Sequence, residues 1–180
     1  MSVRQLIPED LADIPPGPEL ARALSGLELS RLSGFDCVEV LKAQYRQANH
    51  ERARLLAAMV EVGLCGVVVA DDELRRRTAP SEFSADEIRA ALVLTRRAAQ
   101  DQFGLAWDLV TRLPQAHAAM VAGVLDEPRA RVFSEWTLEL SAEQAQAVCA
   151  TLLPRAPGLT TGHPRGFVPR DDRWQLHRAR

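Results

Sequence analysis

Histidine and cysteine, two residue types that often carry catalysis or bind metals, are few in this sequence, and their spacing matches no known site. The four histidines show neither the HExxH spacing of zinc proteases nor a zinc-finger distance to a cysteine. They are His50, His117, His163 and His177. The sequence also lacks a GxSxG nucleophile motif, a phosphate-binding glycine loop and a GxGxxG fingerprint. We therefore predict that the protein is not an enzyme and has no catalytic residue, no metal ligand and no cofactor.

Two acidic clusters and the cysteines fit the same prediction. His163, Asp171, Asp172 and His177 lie in a stretch interrupted by glycine and proline, which gives a metal site no fixed geometry. The adjacent acids of Asp126-Glu127 diverge on a helix, so a helix cap explains them better than paired acid-base chemistry. The three cysteines are far apart and lack a CxxC pair, which favours reduced thiols in a cytoplasmic protein.

The histidine and the acids of "TRLPQAHAAMVAGVLDEP", residues 111–128, lie where helices meet. Pro114 disfavours helical geometry in the residue before it and so ends a helix. Gly123 can adopt the left-handed conformation that closes the next helix, and Asp126 can cap a third. We interpret this stretch as a joint between helices.

Composition predicts helices around these residues. The 180-residue chain is 47% hydrophobic but only 5% aromatic, and its many alanines suit closely packed helices. We predict an all-α, multi-helix bundle with two long helices, several short ones and a loosely structured C-terminal tail. The expected organisation is an N-terminal segment with a short helix (1–34), a helical domain (35–156) and a basic tail (157–180). Residues 65–83 are interpreted as mostly ordered loop.

The first long helical pattern, 35–64, carries an apolar seam at heptad spacing. The seam positions are Val38, Leu41, Tyr45, Ala48, Arg52, Leu55, Met59 and Val62. We expect this seam to pack against the second long pattern, from Ser84 to Leu113. An antiparallel arrangement would bring Arg52, the polar interruption, near Ala99 and Gln102.

The second long pattern allows two interpretations. With no glycine to mark a turn, we favour one continuous helix that starts at a capping box, Ser84 to Glu87. Alternatively, the first helix ends near residues 92–94 and Thr95 caps a new one, with Arg96 and Arg97 in its first turn. That is the layout of a helix-turn-helix with arginines placed to meet DNA. A second capping box, Ser141 to Gln144, starts the last predicted helix.

Charge is distributed unevenly along the chain. From residue 157 onward there are five arginines and two aspartates, so the formal charge of this tail is +3. Since the whole chain has a net charge of -2, the preceding residues have a net charge of -5. Possible DNA contacts are therefore Arg96, Arg97, Arg165, Arg170 and Arg173. The acidic, proline-broken N-terminus is unlike a signal peptide, and the longest apolar run is far below a membrane span of about 20 residues. We expect a soluble protein with no membrane contact and no small-molecule substrate.

The order of several features along residues 35–162 resembles the 13E12 repeat family, whose shared region is called domain of unknown function 222. These features are Glu87 with Leu92, Ala98, Leu113-Pro114, Gly123, Arg129-Ala130, Leu138, and "LLPRA" before Leu159-Thr160. The resemblance implies a helical region that normally precedes an HNH endonuclease domain, in which histidines and a metal cleave DNA. It carries over no catalytic residue, because the helical region holds none.

After Gly162 the sequence departs from the family pattern and shows no HNH arrangement. We expect a truncated copy, with a frameshifted end as one explanation. The predicted function is a non-catalytic helical module, stand-alone or truncated, that acts through contacts with another protein chain. The alternative is a DNA-binding accessory module that uses Arg96, Arg97 and the basic tail.

Overall fold

The computed structural model describes residues 4–65 and 77–158, and the fold of these residues is an all-α, multi-helix bundle, as predicted. The helices are α1 (Pro18–Ser25), α2 (Gly34–Leu64), α3 (Ser84–Leu92), α4 (Arg96–Trp107), α5 (Pro114–Val121), α6 (Glu127–Trp136) and α7 (Ala142–Leu152). A π-helical turn, Asp108–Arg112, continues α4, and short 3₁₀ turns cover Leu29–Arg31 and Leu153–Gly158. Predictions for the loop between 66 and 76 and for the tail from 159 onward lie outside the described residues. Across the described ranges, no helix is both long and apolar enough to cross a membrane.

The 31-residue helix α2 packs against α1, α3, α4 and α5. Its start is capped by Ser33, whose side chain accepts a hydrogen bond from the Asp36 amide. Two hydrophobic clusters share this helix. The smaller cluster joins its N-terminal half to α1 and the N-terminal segment, through Leu11, Ile14, Leu20, Leu24, Val40 and Ala43. The larger cluster joins its C-terminal half to α3 through α7.

The predicted heptad seam of α2 does not form the core. Val38, Leu41 and Tyr45 are 49%, 68% and 51% exposed, and Leu55 and Val62 are each 39% exposed. Of the large apolar seam residues only Met59 is buried, at 3%. The core side of α2 instead presents Val40, Ala43, Ala53, Leu56 and Val60. The prediction failed because α2 is apolar on two faces, and periodicity does not indicate which face the short neighbouring helices cover.

The second long pattern is divided, so the continuous-helix interpretation is wrong. Helix α3 ends at Val93, which adopts a left-handed conformation (φ 54°, ψ 45°) although it is β-branched. Thr95 then caps α4 by accepting a hydrogen bond from the Ala98 amide at 3.2 Å. Leu94, between them, packs against the larger cluster. Burial of Leu94 and the Thr95 cap offset the left-handed residue, and no glycine is needed.

The two predicted capping boxes have different outcomes. Ser141 and Gln144 form theirs, with reciprocal side-chain to backbone bonds of 3.0 and 3.3 Å. Ser84 does not cap α3, because its hydroxyl is buried and donates to the carbonyl of Ser81 at 2.6 Å. It also lies 3.3 Å from the carbonyl of Gly63, which ties the start of α3 to the end of α2. Tertiary packing thus overrides a local capping signal at this position.

The stretch 111–128 is a joint between helices, as predicted. Helix α5 begins at Pro114, and Gly123 has a φ of 75° after its end. Asp126 caps α6 by accepting a hydrogen bond from the Arg129 amide at 2.9 Å. Both α5 and α6 pack on elements of the larger cluster, so the joint folds the chain back against α2.

Candidate functional site

The arginines predicted to contact DNA are only partly within the described residues. Arg96 and Arg97 occupy the first turn of α4, and both are exposed. The Arg97 side chain is 93% exposed and lies 3.8 Å from the Asp101 carboxylate. The other three predicted contacts, Arg165, Arg170 and Arg173, lie outside the described residues. The structure therefore places one pair at the N-terminus of a helix and does not test the set.

The charge around this helix-turn-helix is balanced. Between residues 77 and 107 there are four arginines (77, 89, 96 and 97) and four acids (82, 86, 87 and 101), which gives a net charge of zero. Arg89 is also paired with Asp86 at 3.3 Å. Nonspecific DNA affinity depends on net positive charge facing the phosphates, so this unit has weak electrostatic attraction for DNA.

A group of charged side chains joins the middle of α2 to α4 and α6. The Arg52 guanidinium donates to the Glu127 carboxylate, and its Nη2 lies 3.2 Å from the Gln102 Oε1. Arg131 donates to the other carboxylate oxygen of Glu127 at 2.9 Å. The predicted proximity of Arg52 to Gln102 is confirmed. The pairing with Glu127 was not predicted, because nothing in the local sequence indicates that α6 packs beside α2.

The electrostatics of Glu127 follow from this placement. Partial burial raises its pKa, but the hydrogen bonds from Arg52 and Arg131 lower it more, so the net pKa is below the ordinary value. With its charge compensated on both sides, Glu127 is an ion-pair partner. A general acid or base at neutral pH needs a pKa moved toward 7, which is the opposite direction.

A second polar contact lies two turns earlier on α2, where the Tyr45 hydroxyl donates to Asp126. Asp126 is also paired with the Arg129 guanidinium. The hydrogen bond to Asp126 raises the pKa of Tyr45, which keeps the phenol protonated as the donor. These side chains hold the α5–α6 joint against α2. The helix cap predicted for this acidic pair is formed by Asp126, whereas the ion pairs of Glu127 were not predicted.

The two described histidines also contact the backbone. His50 Nδ1 lies 2.7 Å from the Val121 carbonyl, and His117 Nε2 lies 3.0 Å from the Ala53 carbonyl. In both cases the ring nitrogen donates, which fixes α5 against α2. Within residues 4–65 and 77–158, no group of three or more His, Cys, Asp or Glu side chains could hold a metal ion. The metal set considered around His163 and His177 lies outside those residues.

The solvent-facing seam of α2 is the surface that sequence reasoning misassigned. We define the α2 stripe as Val38, Leu41, Tyr45, Ala48, Leu55 and Val62, all of which are exposed. Its polar borders include Lys42, paired with Glu39 at 2.8 Å, and Arg54, 3.8 Å from Glu51. The heptad signal was present in the sequence, but it was interpreted as core packing. An apolar row of this length on a monomer surface is typical of a contact site.

No protein-family model, curated protein or solved structure matches the chain. The resemblance to the 13E12 repeat family is therefore a prediction that rests on the sequence features alone.

Proposed function

We propose that the protein is a non-catalytic helical module that acts by binding another protein chain, as a relative of the 13E12 repeat family. The α2 stripe is the observation that carries this proposal. Folding leaves its apolar side chains in water, where their burial by a partner is favourable. The charged groups in the middle of α2, by contrast, are engaged in contacts with α4 and α6.

The experiment is in-cell cross-linking followed by affinity purification of the tagged chain. The test variant is Leu41→Glu, which places a charge in the middle of the N-terminal half of the stripe. The matched control is Leu138→Glu, because Leu138 is 74% exposed, like Leu41, and lies after α6. We expect cross-linked species, with any chain including the protein itself, that disappear in Leu41→Glu and persist in Leu138→Glu. If no species depends on Leu41, the proposal is wrong.

The second candidate function is DNA binding, favoured by the division of the second long pattern at Val93. This division gives α3 and α4 the order of a helix-turn-helix and exposes Arg96 and Arg97 at the start of α4. The candidate predicts binding that weakens steeply as salt increases and that is reduced in an Arg96→Ala/Arg97→Ala variant. Fluorescence anisotropy with duplex DNA at two salt concentrations measures both effects. Binding that is absent, or that is unchanged in the variant, rules this candidate out.

The absence of catalysis is part of the proposal and has its own test. A plasmid-nicking assay with Mg²⁺ or Mn²⁺ should show no cleavage above a protein-free control. Metal-dependent nicking that copurifies with the chain would contradict the non-catalytic assignment.

A further inference from the structure

The α2 stripe has the repeat and length of a contact between two long helices. Two series of its residues repeat at intervals of seven. One consists of Val38 and Tyr45, and the other of Leu41, Ala48, Leu55 and Val62. The alternating three- and four-residue spacing holds from Val38 to Ala48, and Leu55 and Val62 continue the row at seven-residue intervals, because the positions between are the ion-paired Arg52 and the buried Met59. A row with this spacing can follow a partner helix that crosses at a shallow angle. From residue 38 to residue 62 the row extends about 36 Å along α2. A partner that covers the whole row must itself present a helix of comparable length.

Within the described parts of the chain, no second helix meets that requirement. Helix α4, the next in length, has 12 residues, and its buried residues belong to the larger cluster. Helix α2 of another copy has the required length, repeat and apolar side chains. Resting on the function proposed above, we propose that the α2 stripe pairs with the α2 stripe of a second copy of this chain in a two-fold symmetric dimer.

The area of the stripe is sufficient for such a dimer. Its exposed fractions, from 39% at Leu55 and Val62 to 68% at Leu41, correspond to roughly 500 Å² of accessible surface per chain. Two copies would thus bury roughly 1,000 Å² from the stripe alone, and the bordering side chains add to this area. Specific interfaces begin at about 1,000 to 1,200 Å². The stripe with its borders reaches the size of a real, if small, interface.

The charges beside the stripe permit self-association. By helical geometry Glu39 and Lys42 lie on one side of the row, and Glu51 and Arg54 lie on the other. Each side therefore presents both signs of charge. A surface that carries one sign would repel its own copy, whereas mixed borders around an apolar centre allow an isologous contact.

The experiment is light scattering after size exclusion, with sedimentation equilibrium, on the full chain over a wide concentration range. The wild type should approach twice the monomer mass of 19.9 kDa as concentration rises. Leu41→Glu should raise the dimer dissociation constant at least about a hundredfold, because a two-fold dimer contains the buried charge twice. Leu138→Glu should dimerise like the wild type. Circular dichroism of both variants should match the wild type, since both positions are exposed.

Two results would overturn the dimer. One is a wild type that remains monomeric throughout the range, and the other is a dimer whose dissociation constant is the same in Leu41→Glu. In the first case, a Leu41-dependent cross-link to a different protein would leave the proposed function standing while the second copy is rejected. If neither a dimer nor any Leu41-dependent species is found, both proposals fail.

Discussion

Replacing Arg52 by leucine should destabilise the protein, although it restores the apolar heptad that arginine interrupts. Arg52 and Glu127 are paired with side chains only 25% and 23% exposed, and Arg52 also bonds to Gln102. Removing the arginine leaves a partly buried carboxylate with Arg131 as its remaining partner. A fully buried broken pair costs about 3 to 5 kcal/mol and an exposed one under about 1, so we expect about 2 kcal/mol here.

The loss should depend on pH in a defined direction. The pKa of Glu127 is lowered below its ordinary 4.5 in the folded chain: burial raises it, and the two arginines outweigh that effect. A carboxyl group with a lowered pKa contributes stability above its unfolded pKa, and this stability is lost as the pH falls through the folded pKa. Without Arg52, burial is opposed by one arginine and the pKa rises. The difference between wild type and Arg52→Leu should therefore be largest at neutral pH and should narrow in acid.

Urea unfolding followed by circular dichroism, at neutral pH and at a series of acid pH values, measures both effects. Arg54→Leu is the matched control, because Arg54 lies on the same helix but is 62% exposed and 3.8 Å from its acid partner. Its free energy of unfolding should change by less than about 0.5 kcal/mol. The reasoning is refuted if Arg52→Leu is as stable as the wild type, or if its deficit is the same in acid.

Four further predictions concern local packing. Gly63→Ala should destabilise by about 1 to 2 kcal/mol in urea unfolding, because the added Cβ would lie 2.7 Å from an aromatic ring of α4. Gly104→Ala, which adds a Cβ in open space, should raise the free energy of unfolding by about 1 kcal/mol. If the two alanine variants change the free energy of unfolding in the same direction, this reasoning is contradicted. Val93→Gly should raise thermal stability by about 1 kcal/mol by relieving the left-handed valine, and a lower Tm would count against strain there. Cys149, buried with a pKa raised to about 11, should react with a thiol reagent far more slowly than exposed Cys65, as peptide mapping would show.

Signals that act within a few residues were sufficient to predict most helix ends. Ser33, Thr95, Asp126 and Ser141 each cap a helix through a side chain that bonds an amide two or three residues away. Such a bond depends on the local chain alone, so its sequence signal is specific. Ser84 is the informative exception. It has the same local pattern, but its hydroxyl donates to the Ser81 carbonyl instead, with the Gly63 carbonyl at the end of α2 lying 3.3 Å away.

The positions that sequence reasoning missed depend on which elements are neighbours. The turn at Val93 is stabilised by packing of the partly buried Leu94 against the larger cluster, and no local signal reports that contact. The Arg52–Glu127 pair joins residues 75 positions apart. The side of α2 that faces solvent is likewise fixed by the placement of short helices far along the chain. For a helix that is apolar on two faces, periodicity identifies the two faces but does not indicate which one is buried and which one faces solvent.

The two candidate functions differ in whether the surface each one uses is already compensated within the fold. In the helix-turn-helix the arginines that could contact phosphates are matched by an equal number of acidic residues. Its net charge therefore provides no electrostatic attraction for DNA, and binding would have to come from other interactions. The α2 stripe has no such compensation, because apolar groups in water are stabilised only by leaving it. Covering the stripe removes apolar surface from water, and this gain has to exceed the costs of association, about 4 to 15 kcal/mol or more. We therefore rank protein binding through the α2 stripe above DNA binding as the proposed function.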